Sequence, residues 1–301
     1  MGTSASPLIS VEDLVARSGD PHVRIVDVRW VLGQPGAGRQ AYEAGHIPGA
    51  IFLDLDGDLA IAPGPGRTGR HPLPDPANFA TTLAHAGIGS HDLVIAYDDV
   101  GGWVASRLWW MLDDLGHRGG EAVLDGGIQA WVAAGGALAT GPTHAPAEPA
   151  VIELAYRWTN VIERDTLRER LGEVVLLDAR GAPRYRGEVE PIDAYPGHIP
   201  TAVNAPTDGN LTEPNGRFRS PDDLRSRFES LRSAAVAAAA ASPGAPVVTS
   251  CGSGVSATHA SLAMRLAGLP DPILYVGSYS DWSRAGEPVA VGPEPGAPPA
   301  R

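Results

Sequence analysis

Apolar positions along the chain fall into two patterns. Val23-Arg24-Ile25-Val26-Asp27, Leu93-Val94-Ile95-Ala96-Tyr97, Val174-Val175-Leu176-Leu177-Asp178 and Pro246-Val247-Val248-Thr249 are short, largely aliphatic runs, too continuous to alternate with polar residues. Strands buried on both faces of a parallel sheet read this way. Between them lie windows of helical composition. Ala257 to Ala267 sets Leu262 and Leu266 one turn apart and is stopped by Gly268 and Pro270, the usual ending of a helix. Ser10 with Asp13 after it, and Ser220 followed by Pro221, open two more. A serine hydroxyl can cap the first free N–H groups, and proline suits the first turn. Strands alternating with helices predict an α/β fold in which helices cover both faces of a parallel sheet.

The pattern occurs twice. The run from Val23 returns at Val174, Gly45-His46-Ile47-Pro48 returns as Gly197-His198-Ile199-Pro200, the run from Leu93 returns at Pro246, and Leu124-Asp125-Gly126-Gly127 returns as Tyr275-Val276-Gly277-Ser278, at offsets of 151 to 153 positions. Four matches in one order at one spacing mark a duplicated domain. The expected division is a first domain over 8–140, a stiff proline-rich linker over 141–150, a second domain over 151–290 and a flexible tail over 291–301.

Composition narrows the function. With 301 residues, 43% apolar and 19% charged, the chain can bury two cores. A formal charge of −12 argues against nucleic acid and anionic membranes as partners. An anionic substrate would need a local positive site. Residues 1–7 carry neither a basic region nor an apolar core, so no secretory signal is expected. No apolar run approaches the roughly 18 residues of a spanning helix. Cys251 is the only cysteine, and a thiol that must stay free fits a reducing, cytoplasmic setting. Neither HExxH nor CxxC spacing occurs, and the glycines at 64, 66 and 69 lie in a proline-broken loop, so no metal site and no cofactor are expected.

The candidate chemistry gathers at Ser250-Cys251-Gly252-Ser253-Gly254-Val255-Ser256-Ala257. A strand ending in a glycine-spaced turn that feeds a helix leaves several backbone N–H groups converging on one spot, which favours negative charge. Gly252 and Gly254 keep side chains out of this bowl, while Ser253 and Ser256 put hydroxyls where a core would want methyl groups. Cys251 is therefore read as a nucleophile rather than a small buried hydrophobe. At the same place the first copy has Asp98, which cannot attack sulfur, so one copy carries chemistry and the other scaffold.

These residues carry a resemblance. The paired Gly-His-Ile-Pro segments, Asp178-Ala179-Arg180 with Arg184-Tyr185-Arg186-Gly187, the Cys251 loop and Gly277-Ser278-Tyr279-Ser280-Asp281-Trp282 resemble the tandem-domain rhodanese family of sulfurtransferases. The likeness spans about residues 8–290, and the loop Cys-Gly-Ser-Gly-Val-Ser is similar to that of the 3-mercaptopyruvate sulfurtransferases within the family. Thiosulfate-using members carry Arg and Lys where this chain has Gly252 and Ser253. The resemblance implies that Cys251 takes sulfur from 3-mercaptopyruvate as a persulfide, releases pyruvate and passes the outer sulfur to a thiol such as thioredoxin or glutathione, or to cyanide. It implies Arg186 as the carboxylate anchor, with Gly252, Gly254, Val255 and Ser256 shaping the substrate loop. It also implies a proton relay of Ser253, His71 and Asp56, with Asp54 as the other matching acid. Where many mercaptopyruvate enzymes have a second arginine, this chain has Glu190-Pro191-Ile192-Asp193. His46 and His198 recur in both copies, which reads as a turn role. Trp30 and Trp103 are read equally as pocket wall or core.

Three other readings stay in view. Thiosulfate as donor is the nearest. A phosphatase on this fold would end a longer cysteine loop in arginine, where this chain has Ala257 and Thr258. A non-catalytic persulfide carrier would need Cys251 but neither Arg186 nor Ser253.

Overall fold

The computed structural model describes residues 6–64, 69–143, 148–213, 216–238 and 240–299. The first five residues, Gly66, residues 144–147 of the expected linker and the last two of the tail lie outside the described residues. The described chain forms two compact units.

The first unit holds β1 (Leu8–Ile9), α1 (Val11–Ala16), β2 (Val23–Asp27), α2 (Ala37–Ala44), β3 (Ile51–Phe52), α3 (Pro76–His85), β4 (Leu93–Tyr97), α4 (Ala105–Asp114), β5 (Glu121–Leu124) and α5 (Gly127–Ala133). Its strands pair in the order β1-β5-β4-β2-β3, all parallel, with Val23 opposite Leu93 and Asp27 opposite Tyr97. The second unit holds α6 (Arg164–Glu169), β6 (Val175–Asp178), α7 (Ala182–Tyr185), β7 (Val203–Asn204), a 3-10 turn (Thr207–Asn210), α8 (Pro221–Ala237), β8 (Val247–Ser250), α9 (Ala257–Leu266), β9 (Ile273–Leu274) and α10 (Ser278–Arg284). The order is β7-β6-β8-β9, again parallel, and Val161 bridges Leu274 where β1 meets β5 in the first unit. The continuous aliphatic runs are the central strands of both sheets, and most of their side chains are buried. Ser10 and Ser220 accept the N–H of Asp13 and Asp223, capping α1 and α8.

Duplication extends to buried polar contacts. Arg29 forks onto Asp27 and donates to Gly45 O at 2.7 Å; Arg180 forks onto Asp178 and donates to Gly197 O at 2.8 Å. Each pair is buried, where a lone charge would be costly and only a fully bonded one persists. His46 stacks on Tyr42 and meets its carbonyl, and His198 does the same with Tyr185. Both histidines hold turns.

The chain is divided less linearly than its composition suggests. Residues 62–72 group with the second unit and residues 211–218 with the first. Within the first, Asp125 accepts the N–H of Phe218 at 2.9 Å, and Gly101 and Gly102 leave room for Leu211, Gly216 and Phe218. Some backbone groups of the expected tail are hydrogen-bonded. The Thr201 N–H donates to Pro295 O at 2.6 Å and the Gly292 N–H to Arg186 O at 3.0 Å, and just before the tail Ala290 and His198 exchange two bonds of 2.9 Å. Backbone groups need partners whatever their side chains. No helix among the described residues is long and apolar enough to cross a membrane.

Candidate active site

β8 is paired on both edges, by β6 and β9, and delivers Cys251 at its carboxyl end. Ligand sites of open parallel sheets form at such strand ends. The thiol is buried, and the N–H groups of Gly254 and Ser253 donate to its Sγ at 3.1 and 3.4 Å. Gly254 has φ +77°, and a Cβ there would stand 2.3 Å from Val276 O. Only glycine fits that turn without displacing backbone. The start of α10 fixes the loop from behind, where Tyr279 and Ser280 N–H donate to the carbonyls of Cys251 and Gly252, each at 2.9 Å. Ser278 accepts the N–H of Cys251 at 3.0 Å and holds φ +51°, a strain that surrounding structure must enforce. The sequence pattern places Ser278 in the repeat without giving it a role, and the first copy has Gly127 at the matching place, with φ +57°.

Val255, buried, accepts both the N–H and the hydroxyl of Thr258. Ser256 opens α9 without a side-chain cap. The N–H groups of Val255, Ser256 and Ala257 have no partner among the described residues. Ala257 and Thr258 are fully buried, so no cation stands where a phosphatase would need one.

The structure brings Ser253 and His71 together, Oγ to Nδ1 at 2.7 Å, both buried. Arg70 N–H donates to Ser280 Oγ at 3.1 Å and fixes the segment. Asp56 belongs to the first unit and accepts from Trp30 Nε1 at 2.8 Å. Asp54 Oδ1 accepts the N–H groups of Asp56 and Gly57, so it serves its own turn. Trp30 packs edge-on against Trp103.

Arg186 is not brought to the loop. Its guanidinium forks onto Glu188 at 2.7 and 2.8 Å on the surface. The guanidinium groups over Gly252 are those of Arg70 and Arg184, 2.8 and 3.5 Å from where a Cβ of residue 252 would be. The physical reason is rotation. Tyr185 is buried in the core, and residues 184 and 186 point about 200° apart on a helical turn, so only one can face the sulfur. Arg184 also donates to Glu190 and Asp193 at 2.8 Å each, and Arg70 pairs with Asp193. Burial works against the charge on Glu190, but the Asp193 N–H and Arg184 outweigh it and hold that carboxyl below its usual value. Asp193 is pushed up by burial and by Glu190, against the pull of both arginines. Among the described residues no three His, Cys, Asp or Glu side chains gather as a metal site.

In the first copy Asp98 fills the corresponding nest. Its carboxylate accepts the N–H groups of Val100, Gly102, Val104 and Ala105 at 2.8 to 2.9 Å, while complete burial pushes its carboxyl up.

A strand-end thiol with converging amides, on one of two copies of a parallel sheet, defines a rhodanese-like protein. The rhodanese-like domain model matches residues 10–134 and again 163–285. A Pseudomonas aeruginosa protein named "Probable 3-mercaptopyruvate sulfurtransferase" is 43% identical over 295 residues, covering 96% of this chain and 99% of that one. The thiosulfate sulfurtransferase of Rattus norvegicus is 32% identical over 281 residues, covering 90% and 89%. The solved 3-mercaptopyruvate sulfurtransferase of Leishmania major superposes with a TM-score of 0.80 at 30% identity, covering 95% of this chain and 76% of that one. The chain belongs to the rhodanese family. It is an enzyme, a tandem-domain sulfurtransferase, and its likeness is to the 3-mercaptopyruvate sulfurtransferases.

Proposed function

We propose that the protein moves sulfur from 3-mercaptopyruvate to a thiol or cyanide through a persulfide on Cys251. The observation that carries the reading is the meeting of two loop N–H donors at the Cys251 sulfur, with the guanidinium of Arg184 over the next residue, Gly252. A carboxylate donor held by that guanidinium presents its sulfur to the thiolate. Sγ attacks the donor sulfur, the carbon–sulfur bond breaks, and its electron pair leaves as the enolate of pyruvate. The proton of the donor thiol ends on the enolate carbon, and the pair Ser253–His71 is suited to carry it. The free N–H groups of Val255, Ser256 and Ala257 are suited to the outer sulfur anion of the persulfide. A second thiolate then attacks that sulfur and regenerates Cys251. Thioredoxin, glutathione and cyanide all meet this requirement. In this reading Arg184 takes the anchoring role given to Arg186 by the resemblance, and Ser253 and His71 keep the relay roles that it gave them.

The test is pyruvate release from 3-mercaptopyruvate with a reducing thiol, beside a thiosulfate-plus-cyanide assay, for wild type and Cys251→Ser. Mass spectrometry after donor alone should add one sulfur to Cys251, and Cys251→Ser should not turn over. An unmodified wild type that still releases pyruvate overturns the covalent scheme, and faster turnover of thiosulfate passes the donor assignment to thiosulfate.

A further inference from the structure

Between α2 and α5 the first unit carries an open groove lined by Arg29, Ala41, Ala44, Ile128, Val132 and Leu138, about 990 Å³ counted out to its mouth. Val132 and Leu138 are 50% and 45% exposed, so two large apolar side chains face water there. Arg29 brings the one charged group to this lining, and its side chain is only 9% exposed. Its Nε and Nη2 are spent on Asp27 and Gly45 O, and Nη1 has no hydrogen bond among the described residues. The planar fork turns that nitrogen away from Asp27.

The second unit has the same guanidinium and completes it. Arg180 forks onto Asp178 and reaches Gly197 O as Arg29 does with its own partners, but its Nη1 donates to Glu190 at 3.4 Å. The Arg180 Cζ also lies 3.8 Å from the ring centre of Tyr279, which stands at the place of Ile128. Arg184, at the place of Ala41, donates to Glu190 at 2.8 Å. Glu190 arrives on an insertion. Tyr185 and His198 are 13 positions apart, whereas Tyr42 and His46 are 4 apart. The inserted loop leaves at Gly187 and returns at Gly197, whose N would stand 3.0 Å from a Cβ on Gly187, and Tyr195 O accepts the Tyr279 hydroxyl at 3.0 Å. Closed loops of this length are compact and packed by their own side chains. Residues 188–196 thus set Glu188, Glu190 and Asp193 among Val189, Ile192 and Tyr195. The first unit keeps the groove and lacks the segment.

We propose that the groove of the first unit docks an acidic, apolar segment of a partner protein, whose carboxylate meets Arg29 Nη1 and whose apolar side chains cover Val132 and Leu138. The proposal goes beyond sulfur transfer and does not depend on the identity of the donor. Its probe is a peptide with the sequence of residues 187–197, carrying a fluorophore at its N-terminus and titrated with the full chain by fluorescence anisotropy. Saturable binding with a Kd below about 1 mM is expected. Glu190→Gln within the peptide should weaken binding about tenfold through loss of a charge-assisted bond, and it leaves the protein untouched. Ala41→Arg, which rebuilds the guanidinium that the second copy has at Arg184, should tighten binding about tenfold. Val132→Glu, at an exposed position, should weaken it by about tenfold or more, because a like charge then faces the peptide's acids.

No saturable binding to wild type or to Ala41→Arg overturns the proposal. So does binding that none of the three changes moves, since the peptide then sits elsewhere. A wild type that sediments as a dimer and becomes a monomer in Val132→Glu means that a second copy covers the groove, and 3-phenylpropionate that binds as tightly as the peptide means a small-carboxylate site. Either result overturns the assignment to a partner protein.

Discussion

Replacing Gly254 by alanine tests whether the loop amides act on the sulfur. The residue holds φ +77°, and the new Cβ would meet Val276 O at 2.3 Å and Val276 C at 3.0 Å. An L-residue in the left-handed region costs about 1–2 kcal/mol. The collision is with backbone, so the loop must shift by about 1 Å in a close-packed setting. Together these should destabilise by roughly 2–4 kcal/mol, or about 5–15 °C in Tm for a unit of this size. The same shift removes the Gly254 N–H from its 3.1 Å contact with Sγ. A preorganised donor to an oxyanion is worth about 10²–10³ in rate, and a longer bond to sulfur should give roughly tenfold to a hundredfold.

The assay is single-turnover persulfide formation on Cys251, followed by quenched mass spectrometry at a temperature where the variant is folded. Gly102→Ala is the control. Gly102 also has positive φ, +88°, but its Cβ would meet only the side chains of Val123 and Phe218, and its N–H serves Asp98. That variant should lose stability and keep its loading rate. Loading by Gly254→Ala within about twofold of wild type would refute the role of the amides, and equal slowing in Gly102→Ala would show that the effect is general weakening.

Arg184→Gln should raise KM for 3-mercaptopyruvate about tenfold or more, whereas Arg186→Gln, which loses only a surface pair with Glu188, should change kcat/KM less than about twofold; reversed results would restore Arg186 as the anchor. Burial holds the imidazole of His198 below its ordinary 6.5, so the unfolded chain takes up that proton first and stability falls as pH drops from 6.5 toward the depressed value. Tm followed over that window should be less pH-dependent in His198→Gln than in wild type, and parallel curves would contradict the assignment.

The strands and their duplication were legible because burial on both faces leaves continuous aliphatic runs, and a duplicated core repeats them at one offset. Cys251 was legible because a glycine-spaced turn between strand and helix has few structural uses. Arg184 was not. Two arginines two residues apart are equivalent in composition, and the choice is made by Tyr185 docking into the core and turning the one-turn helix α7. Arg70 sits in a loop with no period, so its place above Gly252 exists only through tertiary bonds to Ser280 and Asp193. The segments 62–72 and 211–218, each grouped with the unit that the rest of its copy does not belong to, carry no mark of that assignment in the sequence. The tail reads as loose from its Pro, Gly and Ala content, yet its anchoring is by backbone groups, which composition does not record.

The two copies show how one loop geometry yields scaffold or chemistry. In the first, the two oxygens of Asp98 accept four N–H groups at 2.8 to 2.9 Å, which saturates the nest with its own carboxylate. Nothing anionic is then bound well there, and the buried bonds serve stability. In the second, a single sulfur accepts two longer bonds, and the N–H groups of Val255, Ser256 and Ala257 stay without partners. Val255 and Ala257 are buried, and unmet buried donors cost stability unless a ligand or reaction intermediate completes them. In the proposed mechanism a persulfide would add one anionic sulfur to Cys251, and with it an acceptor suited to those donors. On that proposal the cost of the unmet donors in the resting loop is offset in the intermediate, which is where an enzyme working through a covalent sulfur carrier would need its binding energy.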